Sequence, residues 1–124
     1  MLAELSNTRQ FKNEGYRRWF SDKYFDLIVW YDVTKTIIVG FQLCYDKFGQ
    51  EHAFTWHKDR GFSHNRIDDG EEIPGHSKMS PILVNDGIFS KEAISDKFKM
   101  ASRRMDSKIA DFVYEKIKEY PDNK

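Results

Sequence analysis

Cysteine is nearly absent from this 124-residue chain: Cys44 stands alone, so no intrachain disulfide staples the fold. Net charge is absent too, with twenty Lys and Arg facing twenty Asp and Glu, and a balanced chain exerts no overall pull on nucleic acid or an anionic membrane. The longest apolar stretches, around 27–31 and 37–43, fall well short of the roughly 20 residues that a membrane helix needs, so no membrane association is expected. The chain begins Met-Leu-Ala-Glu-Leu rather than with a basic stretch leading into an apolar run, and the expected location is the cytoplasm. Neither Gly-x-Gly-x-x-Gly nor Gly-x-x-x-x-Gly-Lys occurs, and there is no His-Glu-x-x-His or paired-cysteine signature. No cofactor is therefore expected.

What is present is aromatic and β-forming. Ten Phe, six Tyr and three Trp supply the apolar surface that a disordered chain lacks, and the length suits one domain, 1–124. Residues 16–20, 24–31, 36–45 and 50–57 are rich in β-branched and aromatic residues and are separated by reversals at 21–23, 32–35 and 46–49. Links this short leave no room for the crossovers of parallel strands, so the pattern predicts an antiparallel meander of three or four strands. Alternation in the third run places Ile37, Val39, Phe41, Leu43 and Tyr45 on one face, and Gly49 is available for a left-handed turn.

From 58 to 80 the pattern stops, and the segment reads as one long polar loop, with Pro81 to Val84 a short last strand or a strap. Ser90 is a good N-cap, with Phe89 and Ile94 in staple positions. Ile94, Phe98, Ala101 and Met105 then form one apolar stripe, while Ile109, Phe112, Val113, Ile117 and Tyr120 form another that Pro121 ends. The expectation is an α+β domain: the meander, followed by two C-terminal amphipathic helices packed on one sheet face. A single helix through 105–109 is the alternative.

Chemistry-bearing residues concentrate between 57 and 76. His57, His64, Asp68 and Asp69 are the candidates for acid–base catalysis, and His57, His64 and Asp68 form a weak candidate metal set, since imidazole and carboxylate suit zinc or iron. Arg60 and Arg66 are the candidates for holding a ligand anion. A solvated acidic loop accounts for the same residues, and whether the protein is an enzyme is left undecided. Cys44, set mid-strand, reads as a spectator thiol rather than a nucleophile. Lys97, Lys99, Arg103 and Arg104 make the first helix basic, which permits nucleic-acid binding without any specific motif for it. Apolar residues on both sheet faces exceed what two short helices cover, so the leading expectation is a binding or interaction domain that forms a homodimer through its sheet. A histidine- or metal-dependent hydrolase using 57–76 is the alternative.

Overall fold

The computed structural model describes residues 1–6, 15–68, 82–85 and 90–120, with the main chain alone described at 68 and 82–85. Strands β1 (Ala3–Glu4), β2 (Tyr16–Ser21), β3 (Phe25–Tyr31), β4 (Ile38–Tyr45), β5 (His52–His57), β6 (Gly61–Asp68) and β7 (Ile82–Asn85) precede helices α1 (Lys91–Ala101) and α2 (Ser107–Glu119). The strands lie in chain order in one antiparallel sheet. The meander and the two helices agree with the sequence pattern. The strand number does not: among the described residues, six strands have four residues or more, and β1 adds a two-residue edge, against an expected three or four.

The main reason is β6. The polar segment expected to loop from 58 to 80 turns back at 58–60 and pairs Gly61–Asp68 with β5 on one side and β7 on the other. Only Phe62 and Ile67 are large and apolar in this strand, and they fall on opposite faces, so no period-2 signal marks it. Residues 69–81 lie outside the described residues.

Polar side chains build the turns. The Asp22 carboxylate accepts the Tyr24 and Phe25 amides at 2.8 and 2.7 Å, and Asp32 accepts the Thr34 hydroxyl at 2.7 Å and the Thr36 amide at 3.2 Å. In the β4–β5 turn the left-handed residue is Asp46 (φ 57°), not Gly49.

Strand register sorts the side chains into cross-strand rows. On the helix-covered face, Phe20, Leu27, Leu43, Phe54 and His64 form one row, and Arg18, Val29, Phe41, Trp56 and Phe62 the next. The helices close this face with rings: Phe98 packs edge-on against Phe25 at 5.9 Å, Phe112 against Phe41 at 6.4 Å, and Tyr120 against Phe54 at 5.4 Å. Alternation fails at Ile37 and Val39. A β-bulge shifts the register so that Tyr31 faces Ile38 and Trp30 faces Gly40. The extra residue reverses parity, leaving Ile38 on the core, Ile37 59% exposed and Val39 on the opposite face.

The chain breaks into two helices at 102–106. Asp106 caps α2 by accepting the Lys108 amide at 2.9 Å. Ser90 occupies the N-cap of α1, but its side chain makes no capping bond; its carbonyl accepts the Ile94 amide at 3.0 Å. The staple partner Phe89 lies outside the described residues.

Candidate functional site

Among the described residues, no helix packs on the second sheet face. Its rows follow from the same register: Arg17, Trp30, Gly40, His57 and Gly61 lie side by side across five strands, and Trp19, Ile28, Gln42, Thr55 and Ser63 form the neighbouring row. Between these rows runs a groove of about 940 Å³, with Arg17 at one end and the β5–β6 turn, bearing Arg60, at the other. Tyr31 and Phe62 also border it, but their rings pack against Tyr16 and against Phe54 and Tyr120.

Gly40 lets the Trp30 and His57 rings pack down onto the sheet. A Cβ at this position would lie 2.9 Å from the Trp56 carbonyl oxygen, 3.0 Å from His57 Cδ2 and 3.2 Å from Trp30 Cε3, so the two rings lean over bare backbone. The floor beside them is polar. Among the described residues, the side chains of Gln42, Thr55 and Ser63 make no hydrogen bond within the protein, although Gln42 and Thr55 are half-buried. Concave sites with a few polar groups left open to a guest are where small molecules bind.

His57 is oriented by its own turn. Its Nδ1 accepts the Asp59 amide at 3.1 Å, so the neutral ring carries its proton on Nε2, beside the Cδ2 edge that leans over Gly40. The Asp59 carboxylate lies 4.0 Å from Nδ1, at the opposite edge of the ring.

The sequence candidates do not converge. His57 sits on the open face, whereas His64, only 3% exposed, lies on the helix-covered face. There its Nε2 is 2.5 Å from the Tyr45 hydroxyl, and its ring stacks on His52 with centroids 5.2 Å apart. Arg66 falls in the same row as His52 and Tyr45, on His64's side of the sheet, while Arg60 is on the groove. Asp68 closes β6 with only its main chain described, and Asp69 lies outside the described residues. Among the described residues, no three His, Cys, Asp or Glu side chains gather as a metal site would require.

Cys44 faces the groove side of the sheet, between Asp26 and Ala53 in register. Burial, reinforced by the Glu51 and Asp26 carboxylates, pushes its thiol up to about 12, which leaves it protonated and unreactive at neutral pH. On the basic helix, Lys97 lies over the Tyr24 ring at 4.6 Å and Lys99 over Tyr114 at 5.6 Å, so two of the four cations pack on the protein's own aromatics.

The groove is built from residues that sequence reasoning does not group. Gly40 in a strand interior is the available signal, because such a glycine marks a bulge or a close approach. Among the described residues, no helix is long and apolar enough to cross a membrane. No protein-family model matches the chain, and comparisons with curated proteins and with solved structures return no significant match.

Proposed function

We propose that this chain is a binding domain that takes a small organic molecule into the groove on its open sheet face. The observation that carries the reading is the groove itself: a space of about 940 Å³ lined by Trp30 and His57 and edged by the unpaired side chains of Gln42, Thr55 and Ser63. That volume lies within the range typical of small-molecule sites. The separation of His57 and His64 to opposite faces favours binding over the hydrolase reading. Ser63 is exposed, so a tryptophan there is tolerated by the fold and fills the groove. Titrating isotope-labelled protein with aromatic fragments should shift the amides of Gly40, Gln42, Thr55 and Gly61, and Ser63→Trp should abolish those shifts. Shifts confined to the helix side would overturn the proposal.

Self-association through the same face is the second reading. Trp19 is 36% exposed and faces Ile28 across β2 and β3, beside the groove. Sedimentation across a wide concentration range tests it: a dimer that Trp19→Glu dissociates supports it, and a persistent 14.8 kDa monomer rejects it.

A further inference from the structure

We infer that the groove selects an aromatic carboxylate, with its acid group between Arg60 and His57 and its ring against Trp30. The inference rests on the groove being the ligand site, and it goes further by naming what the groove takes.

Charge is the first argument. Among the described residues, the groove is bordered by two guanidiniums and an imidazole, and by no Asp or Glu. On other surfaces, Arg18 pairs with Glu4, Lys47 with Asp26, and Lys116 with Glu119. Arg60 is exposed at the rim and makes no side-chain hydrogen bond or ion pair among the described residues. A lone surface arginine is ordinary, but Arg60 lines the same groove as His57, three residues before it at the end of β5. The Asp59 amide occupies His57 Nδ1, so the neutral ring keeps its proton on Nε2, on a side chain that lines the groove. A guanidinium fork and one further N–H suit the two oxygens of a carboxylate. One free guanidinium also matches one unit of negative charge, whereas a phosphate dianion would remain half-compensated. Arg17 cannot join them at a small head group, because it stands on β2, three strands from β5.

Shape is the second argument. From the acid end, the lining passes from His57 to the Trp30 indole and Val39, aromatic and apolar surface on which a flat ring can stack.

Two isosteric probes, naphthoate and naphthamide, separate the inference from the reading beneath it. Both are titrated against isotope-labelled wild type, Arg60→Gln and Ser63→Trp, with amide shifts at Gly40 and Gly61 as the readout. The expected result is naphthoate binding about tenfold more tightly than naphthamide, as a charge-assisted hydrogen bond provides. Arg60→Gln should bring naphthoate down to the naphthamide level and leave naphthamide unchanged. Equal binding of the two probes in the groove, or an Arg60→Gln effect that is absent or common to both, overturns the carboxylate inference and leaves the groove reading standing. If neither probe shifts the groove amides, or if Ser63→Trp leaves the shifts intact, the groove reading fails as well.

Discussion

Phe41 and Ile37 lie on one strand and its lead-in turn, four residues apart, yet the bulge gives them opposite environments. Phe41 is fully buried among Phe54, Trp56 and Phe112, while Ile37 is mostly exposed. Phe98, on α1, is buried just as completely against Phe25. Truncating Phe41 or Phe98 to alanine should cost about 3–5 kcal/mol in urea unfolding, because each leaves a cavity in a close-packed layer. Ile37→Ala should change stability by less than about 0.5 kcal/mol. Simple alternation would make Ile37 as costly as its strand neighbours, so a large loss at Ile37 would remove the bulge from the description.

At the scale of elements, the two helices begin differently although both start at a residue suited to capping. Asp106 accepts the Lys108 amide and so satisfies one of the orphan donors of α2. The Ser90 side chain does not do this for α1. Asp106→Ala should therefore lower stability by about 1 kcal/mol, and Ser90→Ala by less than about 0.5 kcal/mol. Thermal or urea unfolding of the two variants side by side checks the contrast; equal losses would contradict the difference in cap geometry. The buried serines show how a polar side chain survives in α1 and at its end: Ser95 donates to the Glu92 carbonyl at 3.1 Å, and Ser102 to that of Lys99 at 3.4 Å.

Across the whole molecule, Arg18 links three parts of the fold. From β2 it holds Glu4 of β1 through a bidentate pair at 2.7 and 2.8 Å, and it lies 3.7 Å from the Asp106 carboxylate at the start of α2. The hydrogen bond from Arg18 holds the Glu4 carboxyl below its ordinary value of 4.5, against the opposing effect of burial. A carboxyl whose pKa is depressed by folding stabilises the folded state above the unfolded value and loses that contribution as pH falls through the folded value. Stability should therefore decline in the acid range below about pH 4.5, and Glu4→Gln should flatten part of that decline. The effect should be small and weakened by salt, because the pair is partly exposed. Unfolding curves at neutral and acid pH, for wild type and variant, measure it; an unchanged acid slope in Glu4→Gln would remove this pair from the account.

Local physics alone determined much of this protein. Short polar turns at 21–23, 32–35 and 46–49 force antiparallel neighbours, and the stripes through Phe98 and Val113 require helices with one buried face. These features are legible because each depends on residues within a few positions of one another. The tertiary structure decided what depends on pairing between distant strands. Gly61–Asp68 lacks an apolar alternation and becomes a strand because β5 and β7 flank it and take up its backbone hydrogen bonds. His57 and His64 are neighbours in sequence, but the turn between them places one on each face. Arg17, Trp30, Gly40, His57 and Gly61, spread over 45 positions, become one row only after four registers and a bulge are set. A groove of that kind is a property of the sheet, since a one-residue slip in any strand would turn its share of the lining to the opposite face.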